Sequence, residues 1–142
     1  MRIERVSETS DELVAAFARL IPQLSPDRQG PDACHLAQVL AAPGTVVLAA
    51  RDGGSIVGTL TLLLYRIPTG VRGWIHDVVV DQEARGRGVG EALTREAFRI
   101  ARDAGVENVS LTTRRHRAAA HRLYRRLGFV ERESDVFVWR PE

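Results

Sequence analysis

Glycines stand at the alternate positions 86, 88 and 90, just after the apolar run Val78-Val79-Val80-Asp81 and at the head of a helical pattern. Glycine lets a backbone approach a ligand closely and adopt positive φ. Free N–H groups at the start of a helix converge on one small volume, which favours an anion. Arg85 and Arg87 bring positive charge to the same place. Arg85, Gly86, Arg87, Gly88, Val89 and Gly90 therefore predict a phosphate or pyrophosphate site, the alternative being a glycine-rich connector without a ligand. Two common nucleotide loops do not fit. A Walker loop needs G-x-x-x-x-G-K-[ST], and the chain has no lysine. The dinucleotide fingerprint G-x-G-x-x-G is matched poorly by the spacing G-x-G-x-G.

These residues resemble the GNAT superfamily of acetyl-CoA-dependent N-acetyltransferases. Its [QR]-x-x-G-x-[GA] signature is matched by Arg85, Gly88 and Gly90. Its A-x-x-L-Y-x-x-L-G-F block is matched by Ala120-His121-Arg122-Leu123-Tyr124-Arg125-Arg126-Leu127-Gly128-Phe129. The resemblance implies acetyl-CoA as co-substrate, its pyrophosphate held by backbone N–H groups from Arg85 to Gly90. The strand Val78, Val79, Val80 would pair with the pantetheine arm like an added strand, admitted by a splay from the strand at Val109–Thr113. Arg117 stands where the family usually has an Asn, seven residues before the tyrosine, and with Ala120 completes the implied cofactor contacts. Arg114 and Arg115 are either partners of the 3′-phosphate or a solvated surface.

The reaction implied is direct attack of a primary amine on the thioester, with loss of the coenzyme A thiol. Tyr124 is the expected acid, since a phenol with pKa about 10 can protonate a thiolate as it forms. The alternative for Tyr124 is a packed helix aromatic between Leu123 and Leu127. His76 and Asp77 are the candidate bases: His76 stands where relatives carry a glutamate, and imidazole titrates near neutral pH. Strand alternation puts these two side chains on opposite sides, so at most one lines an acceptor cleft. The cleft is expected from the loop Leu24–Pro31, the turn Glu131–Asp135 and the strand around His76, with a small-molecule amine as acceptor. A peptide or protein amine is the alternative acceptor, and a non-catalytic acyl-CoA-binding module the alternative to an enzyme.

The elements that must position these residues read as follows. Met1–Val6 is a strand. Ser10 opens a helix to about Leu24, with Pro22 obscuring its end, and a second helix runs over about 32–42. The runs 45–51 and 56–65 flank the turn Asp52-Gly53-Gly54-Ser55 as a hairpin. The run 73–81 is apolar enough to be a central strand. A helix follows over 88–104, its stripe Val89, Leu93, Ala97, Ile100, Ala104 at helical spacing. Then come a strand over 106–113, a helix over 117–127, and two closing strands at Phe129-Val130 and Val136–Trp139. The order β-α-α-β-β-β-α-β-α-β-β makes residues 1–142 one α+β domain with a mixed, mostly antiparallel sheet flanked by helices.

Composition excludes several classes. At 142 residues and 44% hydrophobic, the chain can bury a core without disulfides or metal. No apolar run approaches a membrane span and no signal-peptide core opens the chain, so a soluble cytoplasmic protein is expected. Cys34 is the single cysteine, and His35, His76, His116 and His121 supply no metal-ligand spacing. All 20 basic residues are arginine, six of them between Arg114 and Arg126. That cluster would suit nucleic acid, but a net charge of +2 and one interleaved aromatic count against it. The edge at Val136–Trp139 leaves room for pairing in a homodimer.

Overall fold

Val46, Val47, Leu48, Ala49 and Ala50 are each at most 1% exposed. A run buried without alternation must be covered on both faces, and this one forms the second strand of a five-stranded sheet. The computed structural model describes residues 1–142, which divide into two compact units, Met1–Thr112 and Thr113–Glu142. The first holds the sheet, in the order β1 (Arg2–Val6), β2 (Thr45–Asp52), β3 (Ser55–Ile67), β4 (Gly70–Val80) and β5 (Asn108–Leu111). β1 to β4 are antiparallel, and β5 joins β4 in parallel. Gly53 and Gly54, at φ +59° and +87°, make the two-residue turn between β2 and β3. Positive φ at both central positions matches the twist of the flanking strands.

Two helices cover one face of the sheet and a third covers the other. Ser10 caps α1 (Asp11–Leu24), its side chain accepting from the Leu13 N–H at 3.1 Å, and Asp32 caps α2 (Ala33–Ala41) through the His35 N–H. Pro22 lies in the last turn of α1, where the helix has only two residues left to run. Leu13, Phe17, Leu20 and Ile21 of α1 and Leu36 of α2 bury against Val47, Ala49, Ile56 and Val79. On the opposite face lies α3 (Val89–Asp103), the crossover from β4 to the parallel β5. A Cβ at Gly58 would meet Val89 Cγ1 at 3.0 Å and Leu93 Cδ1 at 3.3 Å, so α3 packs closely on β3. The arginines on the outer side of α3 pair along the helix, Arg95 with Glu91 and Arg99 with Glu96 and Asp103.

The second unit contains α4 (Ala118–Arg126) and an extended C-terminal segment. The expected closing strands at Phe129-Val130 and Val136–Trp139 are not formed, so the order ends β-α after α3. Val130, Phe137 and Trp139 are 89%, 93% and 83% exposed. A strand exists only where a neighbour completes its hydrogen bonds, and this unit contains no other strand. The apolar, β-branched composition of 136–139 reports propensity without supplying that partner. The edge expected there for a homodimer is accordingly an exposed segment and not a strand.

Candidate functional site

The site in the first unit begins with a break in the pleat of β4. His76 pairs with Thr61 and Val79 pairs with Thr59, so Asp77 and Val78 together oppose Leu60. That is a β-bulge, and Asp77 takes its strained corner at φ +52°, the one non-glycine residue with positive φ. Aspartate tolerates this left-handed region better than most side chains. The extra residue resets the alternation assumed for an unbroken strand: His76 and Val79, three apart, now share a face. His76 and Asp77 are both exposed. The rings of Trp74 and His76 stack at 6.2 Å with 27° between their planes, which steadies the imidazole.

Beyond the bulge β4 has an open side. The parallel ladder with β5 runs from Arg72↔Asn108 to Ile75↔Leu111 and stops there. Val78, Val79 and Val80 therefore present alternate backbone groups along an edge that β5 does not occupy. An extended chain carrying amides can add to such an edge.

The chain leaves β4 through Asp81, a single 3-10 turn (Gln82–Ala84) and the glycines. Gly86 and Gly88 adopt φ +78° and +79°, and Gly88 caps α3 without a side chain. A Cβ added at either would meet nothing within 4 Å, so these glycines serve conformation, and the space above them is open. No backbone acceptor outside regular structure takes the N–H groups of Gly86, Arg87 or Gly88. Those of Val89 and Gly90, in the first turn of α3, have no intrahelical acceptor. Five consecutive donors are thus available to an anion.

The two arginines of this turn hold the turn itself. Arg85 Nε donates to the Val80 carbonyl at 3.2 Å. Arg87 Nη2 donates to the Glu83 carbonyl at 2.7 Å, and its Nη1 reaches Asp52 Oδ2 at 3.2 Å on the β2–β3 turn. Two residues unremarked in the sequence reach the same turn from α1. Arg19 Nε donates to Asp81 Oδ2 at 3.1 Å, and Gln23 Oε1 accepts from the Gln82 N–H at 2.9 Å. The Glu83 N–H, and after it Arg19, holds the Asp81 carboxyl below the usual carboxylate range. No local pattern betrays contacts that span about sixty residues of sequence, whereas Trp74, two residues from His76 on one strand, was within reach of the alternation rule.

In the second unit Arg117, Ala120 and Tyr124 follow one another at helical spacing at the start of α4 and along it. Arg117 occupies the cap position but makes no side-chain capping bond. Tyr124 is half-buried and meets Phe129 edge-on, with ring centroids 5.5 Å apart. Burial pushes its phenol above the ordinary value, while the charge of Arg117 pulls the other way. His121 Nε2 lies 3.1 Å from the Arg114 carbonyl, which ties the segment before α4 to the helix.

No three His, Cys, Asp or Glu side chains are grouped to hold a metal ion, and no helix is long and apolar enough to cross a membrane. Residues 9–129 match the model of the Acetyltransferase (GNAT) family. A protein of Oryza sativa subsp. japonica named "Probable glucosamine 6-phosphate N-acetyltransferase 2" is 34% identical over 98% of this chain and 87% of its own length. Human N-acetyltransferase 8B is 34% identical over 70% of this chain, the match spanning 45% of the human protein. The match to the mycothiol acetyltransferase of Beutenbergia cavernae likewise spans only 29% of that protein. In fold, the chain is similar to a crystal structure of an aminoglycoside acetyltransferase from an uncultured soil metagenomic sample in complex with trehalose. The TM-score is 0.86 at 23% identity, over 99% of this chain and 95% of the other. With the family match running from residue 9 to residue 129 and a full-length relative at 34% identity, the chain belongs to the Acetyltransferase (GNAT) family.

Proposed function

We propose that this chain moves an acetyl group from acetyl-CoA to the primary amine of a small molecule, by direct attack in a ternary complex. The observation that carries the reading is the row of five unpartnered N–H donors from Gly86 to Gly90, set beside the open edge of β4. A diphosphate followed by an arm of amides fits that pairing: the donors take the anion and the edge takes the amides. The room above Gly86 and Gly88 supports the fit.

The chain's residues then divide the chemistry. The turn from Arg85 to Gly90 binds the pyrophosphate, and Val78, Val79 and Val80 align the arm. Successive N–H groups of a strand point to opposite edges, so one of Val79 and Val80 can donate to the carbonyl oxygen as negative charge develops on it. His76, steadied by Trp74, takes the proton that the ammonium must lose before it can attack. Asp77 is the alternative base. Tyr124 donates the proton that the departing thiolate needs, and Arg117 and Ala120 complete the cofactor contacts from α4. A small acceptor is favoured by the names of relatives, which include glucosamine 6-phosphate, mycothiol and aminoglycoside acetyltransferases.

Calorimetric titration with acetyl-CoA, with NAD as control, tests the reading. Binding of acetyl-CoA alone, abolished by Gly88→Glu, is expected. Absence of binding by the unaltered protein would leave the turn a connector and remove the assignment.

A further inference from the structure

A glycine-rich turn gains affinity for an anion only to the extent that its donors already converge before the ligand arrives. Gly86 and Gly88 contribute no side chain that could hold the turn, and Arg85 and Arg87 brace it from within and to Asp52; its root at Asp81 and Gln82 is held from elsewhere in the fold. We infer that α1 holds this root, through Arg19 and Gln23 acting as positioning residues for the pyrophosphate-binding turn; the inference rests on the proposed binding of acetyl-CoA.

The geometry is specific. Arg19 and Gln23 are four residues apart on α1, hence on one side of the helix, and the Gln23 amide also donates to the Arg19 carbonyl at 3.3 Å. Leu20 and Ile21 are buried in the core, which fixes the rotation of α1 and leaves Arg19 and Gln23 along its flank. Arg19 forks: Nε holds Asp81 Oδ2, and Nη2 donates to the Ile56 carbonyl. It thereby joins the start of β3 to the residue at which the chain leaves β4. Asp81 is itself secured on two further sides, its N–H donating to the Val57 carbonyl at 2.8 Å and its Oδ1 accepting from the Glu83 N–H at 3.2 Å. Gln23 holds the next N–H, that of Gln82. Two successive residues at the root of the turn are thus tied to one helix, ahead of the first flexible glycine.

Arg19 and Asp81 form an ion pair that is neutral as a unit, so its removal as a pair should act through order and not through attraction of the anion. Two variants separate these effects. Arg19→Met removes the fork and leaves Asp81 charged; Arg19→Gln with Asp81→Asn removes both charges. Positioning predicts that both variants weaken coenzyme A binding about tenfold, the scale of one lost bond to a charged group. It also predicts that the loss persists in 1 M salt, where charges are screened beyond about 3 Å. The KM for acetyl-CoA should rise by the same factor with kcat unchanged, and Gln23→Ala should give a smaller loss of the same kind. Hydrogen exchange in the ligand-free protein should quicken in each variant at Gln82, Glu83 and Ala84, whose N–H groups are bonded at the root of the turn, with Arg19→Lys restoring part of the protection. Unchanged exchange and affinity would overturn the inference, as would a loss confined to Arg19→Met and abolished by salt. Failure of the unaltered protein to bind coenzyme A would instead overturn the proposed function, while exchange at Gln82, Glu83 and Ala84 would still judge the clamp.

Discussion

Thr59 stands directly across the ladder from Val79, and although it is only 1% exposed its hydroxyl has no hydrogen-bond partner. Its neighbour on the other side is Ala49, and Ala49 and Val79 both belong to the apolar layer under α1. A buried hydroxyl left unpaired costs about 1–3 kcal/mol, and valine has nearly the same shape without it. Thr59→Val is therefore expected to raise the unfolding free energy by about 1 kcal/mol in urea denaturation. A clear loss of stability would show that the hydroxyl has a partner, such as an enclosed water.

The bulge opposite Leu60 gives a second test. Asp77 holds φ +52°, a region that costs an L-residue about 1–2 kcal/mol and glycine almost nothing. Asp77→Gly should leave stability equal or higher, whereas Asp77→Val should lower it by about 1–2 kcal/mol. Thermal unfolding of the two variants decides this, and equal effects would show that the side chain and not the backbone is what matters there. Activity of Asp77→Gly then asks a separate question. If rate falls while stability does not, the carboxylate takes part in the reaction and His76 is not the sole base.

The elements up to β5 could be read from periodicity and turn chemistry because each carries its own signal. The hairpin has Gly53-Gly54, α1 has Ser10 before its apolar stripe, and β2 has an unbroken apolar run. What could not be read depended on partners. The pattern in Val136–Trp139 predicts a strand, but a strand requires an edge that no local pattern supplies. The bulge at Asp77 was invisible because apolar residues continue through Val78, Val79 and Val80 as they would in an unbroken strand. In sequence Arg87 offers charge for a ligand, whereas in the fold its guanidinium is engaged by the Glu83 carbonyl and Asp52. Residue type predicts a turn that attracts anions; only the fold shows that its arginines brace it.

Two glycines separate lack of space from lack of conformational freedom. A Cβ at Gly30 would lie 2.7 Å from the backbone of Phe17 and Ala18, since the loop after α1 presses back on that helix. Neither backbone atom can move without shifting α1, so Gly30→Ala is expected to destabilise by about 2 kcal/mol or more, as overpacking does. Gly86 has open space but φ +78°. Gly86→Ala should cost about 1 kcal/mol through backbone strain alone, with a larger effect on coenzyme A affinity than on folding. Chemical denaturation and calorimetry on both variants would show opposite balances. Similar stability losses in the two would mean that the loop at Gly30 can relax.

The last prediction concerns Tyr124 and its pH dependence. Burial raises the folded-state pKa of the phenol above its unfolded value, and Arg117 moderates the rise. A raised pKa means that folding favours the protonated form. Its contribution to stability is complete below the unfolded value and is lost as pH rises through the folded one. Throughout the neutral range the phenol is protonated and able to donate. As the acid for the departing thiolate, it should give kcat an alkaline limb that falls above about pH 10, where an unperturbed phenol ionises. Tyr124→Phe should lower kcat about a hundredfold or more and remove that limb, leaving the acetyl-CoA dissociation constant within about twofold. Arg117→Ala removes the charge that holds the phenol down, so at saturating acetyl-CoA the limb should move to higher pH. A Tyr124→Phe enzyme that retains full kcat would release Tyr124 from the chemistry and leave it as the aromatic packed against Phe129.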